Sequence, residues 1–305
     1  MKIRVNFPSQ GLLLAGILFV PDSYSGERMP AVVVGHPWRG VKEQTASIYA
    51  ERLSREGFAA LVFDAAYQGE SEGAPHGLED PFQRAEDVRA AVSYLAARGD
   101  VDAERIGGLG ICASGGYLSF AAQTDRRIKA VATVSAYDTR GAFFDGIGRT
   151  QGPEVRAALL EQAGVLRNAE ARGEGSFSFH AAFPGKAELA ALPERSMYRE
   201  GYEYYLTPRG SHPLSDNWSM LRADVVAQFD AFAHQDWISP RPLLMIAGTD
   251  ADTRYFSEEA VARAADPREL FLIEGASHID LYDRDEYVTP AVAKLVEFYG
   301  KSLAV

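Results

Sequence analysis

The 305-residue chain has one cysteine, Cys112. A single thiol excludes an internal disulfide and suits a reducing compartment. Positive charge is also scarce: 31 Lys and Arg stand against 42 Asp and Glu, a net charge of −11. That leaves no basic footprint for nucleic acid, and no polynucleotide partner is expected. No apolar run reaches the length needed to cross a bilayer. The apolar stretch Gly11 to Val20 is preceded by the polar break Asn6-Phe-Pro-Ser-Gln10. Pro21-Asp22 follows it, where a signal peptide would carry small residues. Two strands and a turn fit these residues better, and a cytoplasmic protein without membrane association is expected. Repeats and low-complexity tracts are absent, and no motif asks for a metal or cofactor. What remains, 47% apolar and 24% charged residues, is ordinary for one large α/β domain carrying an insertion.

The chain is organised around Arg105 to Tyr117. Ile106 to Leu109 is long enough for a buried strand, Gly110-Ile-Cys112-Ala-Ser114 makes a tight turn, and Gly115 to Gln123 continues as a helix. Strand, small-residue turn and helix with a nucleophile at the apex form the nucleophile elbow of α/β-hydrolases. The usual G-x-S-x-G reads here G-x-C-x-S. Small neighbours are needed because the apex backbone is strained and strand and helix cross closely. The helix N-terminus behind the apex is expected to favour a thiolate. Two other readings exist: a cysteine that is only a small buried hydrophobe, and Ser114 as nucleophile in a strand two residues longer. Cys112 stands six residues beyond Ile106, where the elbow nucleophile belongs, and this register favours it.

Lys2–Phe7 and Leu12–Val20 read as an antiparallel opening pair. Ala31-Val-Val-Val-Gly35, Phe58–Phe63, Ile128–Val134, Pro242–Ala247 and Leu270–Ile273 read as further strands. Helices are expected over 42–55, 81–98, 154–170, 225–234, 257–265 (capped by Ser257) and 287–301. The alternation predicts an α/β-hydrolase fold: a doubly wound, mostly parallel eight-stranded sheet with a lid insertion between the sixth and seventh strands. The core would comprise 1–135 and 224–305, and the lid 136–223. Aromatic residues crowd the insertion, among them Phe143, Phe144, Phe177, Phe183, Tyr198, Tyr202, Tyr204 and Tyr205. A second small core would account for them, and so would a pocket lining. Phe143, Tyr202 and Tyr205 are the substrate-binding candidates.

In this architecture nucleophile, acid and histidine follow in chain order. Cys112, an aspartate after the Pro242 strand, and His278 after the last strand satisfy that order. A thiol needs a base, and the base needs an acid to hold its tautomer. Asp250 and Asp252 both occupy the acid loop. Asp252 lies four residues beyond Gly248, the commoner spacing, and is favoured, whereas Asp250 suits a turn cap. The oxyanion donors would be the N–H groups of Ala113 and, since Pro37 has none, Trp38 in Gly35-His-Pro-Trp-Arg-Gly40. His36 is read as orienting that loop, and Asp64 to Ser71 as structural.

These residues together resemble the dienelactone-hydrolase-like branch of the α/β-hydrolase superfamily, which uses Cys-Asp-His triads. Gly35-His-Pro37, Val41 to Thr45, Gly110 to Tyr117, Ala251 to Ser257 and Gly275 to Tyr282 are similar to relatives labelled polyketide-transferase-like. The resemblance extends through Tyr202 to Gly210 and implies covalent acyl chemistry on an ester, thioester or lactone. The expected partner is a small apolar acyl or lactone substrate, and homo-oligomerisation is left open. Hydrolysis is favoured over acyl transfer because no acceptor-binding motif is visible. The alternative from another class is a small-molecule receptor that keeps the triad without turnover.

Overall fold

The computed structural model describes residues 1–175, 179–182, 184–215 and 218–304; Phe177 and Phe183 lie outside these. Eight strands make the main sheet: β1 (Lys2–Ser9), β2 (Leu12–Phe19), β3 (Met29–Gly35), β4 (Ala59–Phe63), β5 (Val101–Ile111), β6 (Ala130–Val134), β7 (Leu243–Gly248) and β8 (Arg268–Ile273). Their order is β1-β2-β4-β3-β5-β6-β7-β8. β2 runs antiparallel to both neighbours and all other pairs are parallel. Gln10 and Gly11 both take positive φ, the turn that suits a two-residue hairpin between β1 and β2. Ala31, Val32, Val33 and Val34 are wholly buried, as a central strand covered on both faces requires.

Eleven helices accompany the strands among the described residues. α1 (Thr45–Arg55), α2 (Pro81–Ala96) and α3 (Ala113–Thr124) lie in the first half. α4 (Thr139–Phe144), α5 (Pro153–Ala171), α6 (Lys186–Ala191) and α7 (Met197–Leu206) fall between β6 and β7, followed by α8 (Ala223–Val226). α9 (Arg254–Arg263), α10 (Asp280–Asp283) and α11 (Asp285–Ser302) complete the set. α2 packs on α3, while α1 packs on α11, so the sheet is covered on both sides. Asp80 caps α2 by accepting from Phe82 and Gln83 N–H, and Pro81 opens it.

Three helical expectations shift. α1 begins at Thr45 because the Lys42 ammonium is drawn to Asp64 at 2.6 Å, outside any helix. α9 begins at Arg254 with Thr253 as its N-cap, so Ser257 lies inside the helix, buried. The expected 225–234 helix stops after one turn, since the Asp230 carboxylate accepts the Phe232 N–H and closes a competing local turn. A 3-10 turn at Gln235–Ile238 follows.

Between β6 and β7, strands Phe179–Ala182 and Trp218–Leu221 pair antiparallel, and Leu78–Glu79 joins them in a small second sheet. Phe144, Ala163, Leu221, Ala223 and Val226 form a separate small core there. The C-terminal ends of β3, β5, β7 and β8 carry the loops that meet at the site, where open parallel sheets bind ligands.

Candidate active site

Cys112 joins β5 to α3 with φ 55° and ψ −122°, a strained conformation for a residue with a side chain. The turn closes because its neighbours are small. A Cβ on Gly110 would lie 2.2 Å from the Ser114 carbonyl oxygen, and one on Gly116 2.8 Å from that of Tyr137. The motif's final glycine is replaced by Ser114, and β3 makes room for it. A Cβ on Gly35 would come 2.7 Å from the Ser114 Cβ. The Ser114 hydroxyl is buried behind the elbow and donates to the His36 carbonyl at 2.6 Å. The Cys112 side chain faces the opposite way, into a cavity of about 420 Å³.

Burial pushes the Cys112 thiol up to about 11, against the opposing pull of the nearby Tyr282 hydroxyl and the N–H groups of Ala113 and Trp38. The expectation that the helix terminus would favour a thiolate is therefore corrected. In this enclosed site desolvation outweighs the donors, and the resting group is a thiol. Trp38 lines the cavity together with Cys112, and Ala113 opens α3 directly after it.

The loop that presents Trp38 is held from behind. His36 Nδ1 donates to the Pro37 carbonyl at 2.7 Å, while Nε2 accepts from Ala65 N–H at 3.1 Å and from the Arg84 guanidinium at 2.8 Å. Burial, reinforced by the Arg84 charge, holds this imidazole well below the usual histidine range. It is neutral and orients the loop. Arg84 also donates to the His36 carbonyl at 2.8 Å and pairs with buried Glu79 at 3.3 Å. The Trp38 indole N–H donates to Ser219 at 2.8 Å.

His278 follows β8 and is fully buried. Its loop crosses Gly248 so closely that a Cβ there would lie 2.0 Å from the Ala276 carbonyl oxygen. Nδ1 lies 2.5 Å from Thr253 Oγ1, Nε2 lies 3.3 Å from the Tyr282 hydroxyl, and burial pushes the imidazole down to about 3. Among the described residues its ring bonds reach neither Cys112 nor Asp252. Asp252 Oδ2 accepts the Met197 N–H at the head of α7 at 3.0 Å, and Oδ1 is buried with no partner. Burial raises this carboxyl above its ordinary range. Asp250 is exposed and pairs with Arg195 at 3.2 Å.

Trp38, Arg39, Cys112, Tyr137 and Tyr282 form the sheet side of the cavity. Phe143, Val155, Leu159, Tyr198 and Tyr205 form the side belonging to the inserted segment. Tyr202 is half-buried and does not line it. The chain order of nucleophile, acid and histidine singles out neither Tyr282, four residues after His278, nor Thr253, next to Asp252, although both bond the His278 ring.

Residues 14–143 match the dienelactone hydrolase family model. An uncharacterized Pseudomonas aeruginosa protein, PA2218, is 39% identical over 286 residues, covering 92% of this chain and 76% of its own. The chain belongs to the dienelactone hydrolase family. It is also 34% identical to the uncharacterized YcjY of Escherichia coli K12, over 99% of this chain and all of that protein. The crystal structure of PA2218 superposes with a TM-score of 0.91 at 35% identity, covering 99% of this chain and 94% of that one. Other relatives are named as an acyltransferase and a thiohydrolase. Acyltransferase drtE of Aspergillus calidoustus is 24% identical over 91% of this chain and 88% of its own. Thiohydrolase aneE of Aspergillus aculeatus is 35% identical over 54% of this chain and 49% of its own. The chain is thus an α/β-hydrolase whose relatives include hydrolases, thiohydrolases and acyltransferases.

Proposed function

We propose that this chain cleaves an ester, thioester or lactone carbonyl through a thioester formed on Cys112, with His278 as base and Asp252 as its acid. One observation carries the reading: Cys112 stands at the strained β5–α3 turn and lines the cavity, with the N–H groups of Ala113 and Trp38 nearby. A carbonyl carbon brought against the Cys112 sulfur places its oxygen within reach of both amides. As Sγ attacks, the thiol proton passes to His278 and the oxyanion takes the two N–H bonds. Collapse expels the alkoxide or thiolate, which takes the proton from the imidazolium. Water then repeats the sequence on the thioester and frees the acid. The partnerless, buried Oδ1 of Asp252 supports its role, since it would accept the Nδ1–H of an imidazolium turned from Thr253 toward it.

We read residues 136–223 as the cover of this site. Phe143, Val155 and Leu159 line its face of the cavity and favour an apolar acyl or ring substrate. A panel of p-nitrophenyl esters, thioesters and lactones tests the function. Turnover lost in Cys112→Ala and kept in Ser114→Ala supports it, and no turnover on any substrate favours a receptor. Acyl transfer is the second reading, favoured by the names of the relatives and by a cover that excludes water. An activated ester with rising alcohol, amine or thiol decides between them. Adduct dominating at millimolar acceptor, against roughly 55 M water, identifies a transferase.

A further inference from the structure

We propose that the Tyr282 hydroxyl is a catalytic group, the relay that carries the thiol proton of Cys112 to Nε2 of His278. The inference rests on Cys112 and His278 being nucleophile and base. It comes from an arrangement that the chain order of a triad does not foretell. The Tyr282 hydroxyl stands 3.3 Å from His278 Nε2, and Tyr282 and Cys112 line the same cavity. The described ring bonds of His278 go to Thr253 and Tyr282, so the path from thiol to imidazole runs through the phenol. Tyr282 also lines the cavity, within reach of a bound acyl group.

The backbone and ring that carry the hydroxyl are held from several sides. Thr45 Oγ1 donates to the Tyr282 carbonyl at 2.9 Å, and Tyr282 N–H donates to the Ile279 carbonyl at 2.9 Å. The Tyr49 hydroxyl donates to the neighbouring Leu281 carbonyl at 2.7 Å. The Tyr204 ring meets the Tyr282 ring edge-on, with centroids 5.2 Å apart. Thr253 at Nδ1 completes the line. With Nδ1–H donating to its oxygen, Nε2 is left as acceptor for the phenol.

The protons balance. As the Sγ–H proton moves to the Tyr282 oxygen, the Tyr282 O–H proton moves to Nε2. Sulfur becomes the attacking thiolate, tyrosine stays neutral throughout, and histidine becomes imidazolium. On collapse the proton returns along the same line to the leaving group. A concerted relay fits a pocket whose burial disfavours both charges, since no isolated phenolate is formed.

The test is the first-turnover release of p-nitrophenolate from p-nitrophenyl acetate by the full chain. Tyr282→Phe keeps the ring and is expected to slow acylation at least about 100-fold with KM changed little. Tyr204→Phe, which removes a hydroxyl from the same cluster outside the cavity lining, should stay near the parent rate. A Tyr282→Phe rate within threefold of the parent overturns the relay, while Cys112→Ala without a burst leaves the nucleophile reading standing. A burst in Cys112→Ala brings down that reading and the relay with it. Should Tyr282→Phe not fold, the proton inventory of the parent burst in H₂O–D₂O mixtures decides. A bowed plot means two protons in flight, and a straight line overturns the proposal.

Discussion

Titrating Cys112 in the resting protein tests the physical picture of the site most directly. Its thiol is pushed up to about 11 by burial, against about 8.5 for a free cysteine. At pH 8.5 free cysteine is half ionised, whereas about one Cys112 in 300 is a thiolate. The stronger nucleophilicity of a more basic thiolate recovers about tenfold, so alkylation by iodoacetamide should run about tenfold slower than with free cysteine. The shape of the profile is the sharper test. The logarithm of the rate should climb with unit slope from pH 6 to pH 10 without a plateau. Stability should follow the same linkage. Between about pH 8.5 and 11 the unfolded chain releases the thiol proton and the folded chain retains it. The folded state then loses about 1.4 kcal/mol per pH unit, or about 2 kcal/mol by pH 10. Urea denaturation of the parent and Cys112→Ala at pH 7.5 and 10 isolates that loss, because the alanine variant has no thiol to titrate. A plateau with a midpoint below pH 8, and equal pH sensitivity in the two proteins, would mean a preformed thiolate–imidazolium pair and refute the argument.

Further expectations concern neighbouring residues. Asp252→Asn should lower kcat by about 10²–10⁴-fold; a mild loss there beside a severe one in Thr253→Val would make the threonine hydroxyl the true partner of Nδ1. Gly35→Ala forces its Cβ against Ser114 and should cost about 1–3 kcal/mol. Ser114→Gly should recover most of it, read as the coupling energy of a double-mutant cycle in chemical denaturation. Arg84→Met strands Glu79 as a buried carboxylate and should destabilise the fold by about 3–5 kcal/mol. An unchanged thermal midpoint would show that the bonds Glu79 accepts from the Tyr117 hydroxyl and the Gln68 amide suffice for it.

The elbow was legible because its demands are local: Gly110, Gly115 and Gly116 are small for reasons confined to a dozen residues of chain. The positions of Cys112, Asp252 and His278 in their loops were legible from strand order, and Trp38 drew notice because Pro37 has no N–H to offer. The hydrogen bonds among these groups were not legible. Whether Nδ1 of His278 meets Asp252 or Thr253 depends on side-chain rotation at two adjacent positions, and periodicity says nothing about that. Arg84 and Glu79 read as ordinary helix and loop charges, yet fold behind the His36–Trp38 loop, across a separation only tertiary structure closes. Phe179–Ala182 and Trp218–Leu221 are too short to announce themselves as strands and exist because they pair with each other. Tyr202 looked like a pocket residue by composition alone, and the actual lining takes Tyr198 and Tyr205 from the same helix.

The small second sheet has a consequence for anyone recombining members of this family. Glu79 pairs through its backbone with Leu221, in the inserted segment, and through its carboxylate with Arg84, which grips His36 and Ser114. The segment between β6 and β7 and the His36–Trp38 loop are thus fastened to the same two-residue strand, Leu78–Glu79. A chimera that exchanges residues 136–223 for another protein's segment would leave that strand without its native partner and slacken the clamp behind Trp38. The transplantable unit therefore includes Gly77 to Arg84, whose contacts cross the seam that a cut at β6 and β7 would follow.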